Sequence, residues 1–275
     1  MNNIKVSFSG HDKFDCKLDW IIKGISEISN NKDALSIKSV ENIELAIEKL
    51  GLGINMIKSL KHWLTVFNLV ENNSLSDFGK TILEFDPYLE TTDVFWLLHW
   101  NLIKNKKYST IYFLFFTEFY PNRFTSEGLM EKLIEWINKN QINLSKNTIK
   151  SDVDVFIRMY MGIFKDLDII HESNQEYFLN FNNKKNISDK AFLSILVDYI
   201  DNFNKDFDSI SLEELQIGKT SLQKILCMNE SDFMNRIHNI DSLSNGNIKY
   251  SDNAGYRKLN YQNYNKPDLL KDVFA

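Results

Sequence analysis

Only two cysteines, Cys16 and Cys227, stand in this 275-residue chain. That excludes a disulfide framework and the paired spacing of a zinc site, and it fits a reducing compartment. Prolines number three and glycines ten, and so few stiff turns and left-handed positions favour helices over a many-stranded fold. The most apolar run, IYFLFF at residues 111–116, is too short to span a bilayer. The first residues, MNNIKVSFSG, lack the apolar core of a signal peptide, so a cytoplasmic protein with no membrane partner is expected. There is no Walker loop, dinucleotide glycine fingerprint or Gly-x-Ser-x-Gly elbow, and no Pro-Asp followed by a spaced acid-x-lysine of the common nuclease kind.

Arginine is absent from the first 86 residues, where ten lysines face twelve acids, and the whole chain carries a net charge of −5. Nucleic-acid binding by such a protein needs a local basic surface that repulsion elsewhere does not cancel.

What the chain does have is helical periodicity. Residues 18–29 place Trp20, Ile21, Ile25 and Ile28 at helical spacing. Residues 39–50 form a second helix, with Ser39 as its cap, Ile43, Ala46, Ile47 and Leu50 on one face, and Gly51 as its stop. In residues 52–70, Ile57, Leu60, Trp63, Leu64 and Phe67 share one face and Asn55, Lys58, Ser59, His62 and Thr65 the other. A turn, a short apolar segment and a glycine follow in residues 72–85. This order suits a winged helix-turn-helix whose second helix enters the major groove. DPYLE at 86–90 makes the seam, giving a 1–90 winged-helix-like unit and a 91–275 helical region with short strands. In that region helices are expected at 92–103, 109–119, 127–140, 148–164 (capped by Thr148) and 189–203. A capping box runs from Ser211 to Glu214, and hairpins are expected near 166–183 and 245–261. The predicted fold is mainly α with minor β-hairpins.

Four places carry candidate chemistry. On the second helix of the pair, Asn55, Lys58, Lys61 and His62 are placed to meet DNA, lysine for phosphate and asparagine for an adenine edge. In the opening FSGHDKFDCKLDW at 8–20, His11 and Asp12 are candidates for a base with its orienting partner, or for ligands of a divalent metal such as magnesium or manganese. Adjacent residues of an extended segment point apart. The favoured reading of this stretch is therefore an arm anchored by Phe8, Phe14 and Trp20 and fixed by a hydrogen bond from His11. In SDVDVFIR, Asp154 and Arg158 have the spacing of a helical ion pair, Asp152 favours a helix start, and Arg158 is a candidate phosphate grip. In DNAGYRKL, Arg257 and Lys258 follow a turn on a strand that can track a phosphate backbone or serve as a solvated edge. His99, between Leu98 and Trp100, reads as a satisfied core histidine.

Three sets of segments carry a resemblance. They are FSGHDKFDCKLDW, then LGLGINMIKSLKHWLTVFNLV at 50–70 with DPYLE and WLLHW, and finally TIKSDVDVFIRMY at 148–160 with NAGYRKL at 253–259. Together they resemble a bacterial family of unknown function from DNA phosphorothioation gene clusters, the group that holds SspB-like nickases. The chain departs from the family opening F-S-G-H-E-T-F by carrying Asp12 for glutamate, and Lys17 where an arginine is usual. Lysine keeps the charge but loses the two-pronged donor. The resemblance implies a DNA-binding component of a modification and phage-defence system, working beside a cysteine desulfurase and a phosphoadenosine phosphosulfate reductase-like protein. It also implies nicking of DNA where sulfur is inserted. Two alternatives are a non-enzymatic adaptor for those proteins and a transcriptional regulator acting as a homodimer with its recognition helices one DNA turn apart.

Overall fold

The computed structural model describes residues 6–182, 184, 186–261 and 266–274. The apolar stripe of residues 18–29 buries Trp20, Ile21, Ile25 and Ile28 along α1 (Leu18–Asn30). Helix α2 (Val40–Leu50) starts where the Ser39 side chain accepts from the Asn42 N–H, and it ends at Gly51 in the left-handed region. Helix α3 (Ile54–Val66) buries Ile57, Leu60, Trp63 and Leu64. A minimal hairpin follows, pairing β1 (Val70–Glu71) with β2 (Ser74–Leu75) in antiparallel register. Its turn residues Asn72 and Asn73 both have positive φ, the conformation that a two-residue hairpin turn demands and that asparagine tolerates. Helix α4 (Asp77–Phe85) is capped by Ser76 and closes this first unit.

The face expected for α2 is only partly buried. Ala46 and Leu50 are covered, but Val40, Leu45 and Ile47 remain exposed.

Beyond residue 90 the chain is again mainly helical. The apolar run at 92–103 becomes α5 (Thr92–Lys104), buried on nearly every side. The run at 109–119 divides into α6 (Thr110–Leu114) and a π-helical turn over Phe115–Phe119. Helix α7 (Ser126–Lys139) and helix α8 (Lys146–Met161) pack together. The cap of α8 is Ser145, whose side chain accepts from the Thr148 N–H, so the helix begins a turn earlier than the Thr148 cap would have set it. Helix α9 (Asp189–Phe203) follows as expected. After it come the short helices α10 (Leu212–Ile217), α11 (Leu222–Ile225), α12 (Glu230–His238) and α13 (Ile240–Leu243).

Two small antiparallel sheets flank these helices. In one, the hairpin of β4 (Ile170–Ser173) and β5 (Glu176–Leu179) gains β3 (Arg123–Phe124) at its edge. In the other, the hairpin of β7 (Ile248–Asn253) and β8 (Tyr256–Tyr261) gains β6 (Ser209–Ser211). A last helix, α14 (Lys266–Phe274), lies across α9 and α4, with Phe274 stacked on Phe85. The two stretches of chain therefore share a continuous apolar core, from Cys16 to Leu259. Among the described residues, no helix is long and apolar enough to cross a membrane.

Candidate functional site

The opening stretch lies as an arm between α3 and α8. Its polar atoms converge on a buried carboxyl of α8: the Ser9 N–H donates to Asp152 Oδ1 at 2.8 Å. The His11 ring reaches the same oxygen through Nε2 at 3.0 Å. His11 Nδ1 accepts from the Lys13 N–H at 3.1 Å, which fixes the hydrogen on Nε2 and makes Nε2 the donor to Asp152. His11 and Asp152 are 4% and 3% exposed, so this is a dry contact. The ring stacks on Trp63 with centroids 5.9 Å apart.

Five further hydrogen bonds fasten the arm. Trp63 Nε1 donates to the Phe14 carbonyl at 3.0 Å, and the Ser59 hydroxyl reaches the same oxygen. The Ser7 N–H donates to Thr110 Oγ1. Arg158 donates from Nε to Asp15 Oδ1 at 2.9 Å and from a terminal nitrogen to the Lys13 carbonyl at 2.8 Å. Burial pushes Asp15 upward, but hydrogen bonds from Lys17 and Arg158 outweigh it and hold the carboxyl below its ordinary range. Arg158 thus pairs across the fold with Asp15 rather than along its helix with Asp154.

Both ring nitrogens of His11 are committed, so the ring offers no free lone pair to a metal. Asp12 follows it with positive φ and an exposed side chain. Among the described residues no group of three or more histidine, cysteine, aspartate or glutamate side chains is placed to hold a metal ion. Burial pushes both thiols up, Cys227 to about 12, so neither is an activated nucleophile.

The arm also decides how much of α3 is left uncovered. Ser59 is fully buried beneath it. A Cβ on Gly10 would stand 2.5 Å from the His62 ring, so the arm passes that side chain at a distance only glycine allows. Burial, and secondarily His11, push the His62 imidazole down to about 3. His62 is therefore neutral and packed under the arm, whereas Asn55 and Lys58 are exposed and Lys61 is half-buried. None of the ion pairs among the described residues involves Lys58 or Lys61.

Arg257 and Lys258 sit elsewhere, on β8, with Arg257 opposite Asp252 and Lys258 between Ser211 and Ser251. That sheet is supported by α10 and α13, whereas α3 packs on α1, α2 and β1. The basic residues are thus carried by separate parts of the fold. His99 is the satisfied core histidine expected. Its Nε2 donates to the Ile225 carbonyl at 2.9 Å and its Nδ1 accepts from the Tyr160 hydroxyl at 3.0 Å. Burial pushes it down to about 4.

One further feature adjoins α3. A cavity of about 180 Å³ lies between the end of α1, the connection to α2, α3 and the hairpin turn, and Lys32, Lys38 and Lys61 line it. No signal in the linear sequence singles out Lys32 and Lys38, since each is an isolated lysine that only the fold brings to Lys61.

The arm, the α3 face and the mainly helical core describe a class of protein that comparison makes definite. Residues 8–274 match the family described as Protein of unknown function (DUF4007), and the chain belongs to that family. Two solved structures share its fold over 97% of this chain and 86% of theirs. One is a magnesium ion-bound SspB crystal structure, with a TM-score of 0.83 at 20% identity. The other is an SspB crystal structure, with a TM-score of 0.81 at 21% identity. A search of curated proteins finds no match.

Proposed function

We propose that this chain is a DNA-binding component of a bacterial DNA phosphorothioation system, with residues 1–90 acting as a winged helix-turn-helix against the helical region 91–275. The observation that carries the reading is the state of α3. It follows α2 through a tight turn, precedes a hairpin, and leaves Asn55, Lys58 and Lys61 uncovered without an ion pair among the described residues. In a winged helix that face meets the major groove and the hairpin meets the backbone. Family membership and a likeness to SspB that covers 97% of this chain support placing it in such a system. Its working place would be the cytoplasm, beside a cysteine desulfurase and a reductase-like protein.

One of the two SspB structures is magnesium-bound. His11 and Asp12 do not fit such an ion here, because the histidine ring is committed to Asp152 and Lys13 and Asp12 belongs to no group of three or more candidate ligands among the described residues. Arg158 contributes by holding the arm, and Arg257 with Lys258 would add backbone contacts from a second surface.

A specific observation favours a second role. Helix α2 exposes Val40, Leu45 and Ile47 among Glu41, Glu44 and Glu48, an acidic and apolar face that repels phosphate and suits a protein partner.

Fluorescence anisotropy with a labelled duplex across a salt series, run beside supercoiled plasmid with magnesium or manganese, tests the proposal. Binding that weakens steeply with salt and falls in Lys58→Ala is the expected result. Absence of binding at low salt overturns it and leaves the adaptor role. Open circles that persist in Asp12→Ala would place hydrolysis at residues other than those named.

A further inference from the structure

The cavities of this protein differ in charge. The one beneath α14 sets Lys104 against Asp198, the one beside α13 holds Asp189 and Asp272 with Lys190, and the one beside β6 carries Glu214 alone. The cavity next to α3 is lined by three lysines and no acid, in a chain whose net charge is −5. Lys32, Lys38 and Lys61 make no ion pair with any described residue. Three like charges brought to one concavity repel one another unless an anion joins them.

The rest of the lining says which kind of anion. Ile37, exposed above the buried Leu35, Leu64 and Val70, supplies an aliphatic floor. No aromatic ring lines the cavity to stack a base. Its neutral polar side chains are Ser36, which is buried and accepts from Asn42 Nδ2 at 3.2 Å, and the exposed Asn73. One exposed amide is therefore available to a base edge, against three lysines for phosphate. A deoxyribose presents C–H surface that suits the floor, and the phosphates flanking it suit the lysines.

We propose that this pocket holds the sugar–phosphate backbone of bound DNA, with successive phosphates on Lys32, Lys38 and Lys61 and a deoxyribose against Ile37. The inference rests on the DNA-binding reading above and adds to it a site at the flank of α3, on the side of the hairpin turn. Because the site recognises backbone, its contribution is independent of base sequence.

The experiment compares wild type, Lys32→Ala/Lys38→Ala and a surface control, Lys146→Ala, against two duplexes of unrelated sequence across a salt series. Each phosphate neutralised contributes about 0.9 to the salt slope, roughly eightfold in affinity at 0.1 M salt. The double variant is expected to bind about 60-fold more weakly on both duplexes, with the slope reduced by about two. Lys146→Ala is expected to match wild type. A second measurement uses duplexes carrying neutral methylphosphonate linkages, which should weaken wild type and leave the double variant unaffected at the linkage the pocket holds. Lys32, Lys38 and Lys146 are all exposed, and thermal unfolding checks that the variants keep the fold. An unchanged slope in the double variant, while wild type binds, overturns the pocket and leaves the α3 reading standing. A loss confined to one duplex sequence overturns the backbone assignment. Failure of wild type to bind either duplex removes the parent reading instead.

Discussion

Replacing Asp152 with alanine tests the central contact of the arm. In the wild type, Asp152 Oδ1 accepts from the Ser9 N–H and from His11 Nε2 at 2.8 and 3.0 Å. Alanine leaves two donors without a partner, the His11 ring in a buried site and the Ser9 N–H in a half-buried one. A buried donor left unpaired costs about 1–3 kcal/mol, and the Ser9 N–H can turn to water, so Asp152→Ala should destabilise by roughly 1–3 kcal/mol. For a chain of this size that is a fall in Tm on the order of 2–5 °C. Asp152→Asn retains a side-chain oxygen in the same place and should cost less. Urea unfolding followed by tryptophan fluorescence gives the ranking, since Trp63 lies directly under the arm. Tryptic cleavage at Lys13 and Lys17, both exposed, reports release of the arm itself. The double variant with His11→Ala should cost less than the sum of the singles, because either one breaks the shared contact. Asp152→Ala with wild-type stability and an uncut arm would refute the reasoning. Asparagine as harmful as alanine would show that hydrogen-bond acceptance is not what the carboxyl supplies.

Two other outcomes follow from the geometry. A Cβ at Gly79 would run into the Leu69 carbonyl oxygen, a backbone atom that no rotamer change can move aside, so Gly79→Ala should destabilise by about 2 kcal/mol or more, read as a lower urea midpoint. Acid should also weaken the fold through the buried His99 and the half-buried His62 beneath the arm, since His62 is pushed down to about 3 and His99 to about 4. The unfolded chain takes up protons near pH 6.5 while the folded chain does not, so the stability these groups contribute is complete above pH 6.5 and is lost as pH falls toward 4. Each contributes roughly 3 kcal/mol of that loss at pH 4, and a pH dependence unchanged in His62→Gln would disprove the assignment.

Local rules made most of the helices readable. Ser39 and Gly51 bracket α2 as a cap and a left-handed stop should, and the apolar stripe of α3 is buried as its period requires. The same rules fail where a distant partner competes. Four-residue spacing pairs Arg158 with Asp154, but Asp15, more than a hundred residues away, takes the guanidinium. Helix-dipole logic explains an acid at Asp152 near a helix start, yet that carboxyl is a buried acceptor for the arm. A helical wheel cannot show that Ser59 and His62, polar and on the outer face of α3, lie beneath a segment from the start of the chain. The π-helical turn at Phe115–Phe119 and the convergence of Lys32 and Lys38 on Lys61 have no linear signature at all.

These failures share one cause, and it bears on function. The arm is specified by residues on α3 and α8 together, so its motif carries information only once the fold exists. A short stretch holding Gly10, His11 and an aromatic pair then needs no catalytic role to explain its composition. Glycine permits the passage over His62, histidine supplies one donor and one acceptor in a dry site, and Phe14 lends its carbonyl to Trp63. By covering one flank of α3 the arm leaves Asn55, Lys58 and Lys61 as the face that can meet a partner, and Lys61 extends that face toward the lysine-lined cavity. A variant that frees the arm should therefore alter binding without removing any charge that touches the ligand. Asp152→Ala is expected to reduce duplex affinity while leaving the salt slope close to wild type, because the number of phosphate contacts stays the same and only their placement is lost. A slope that falls with the affinity would mean instead that the arm itself contacts phosphate.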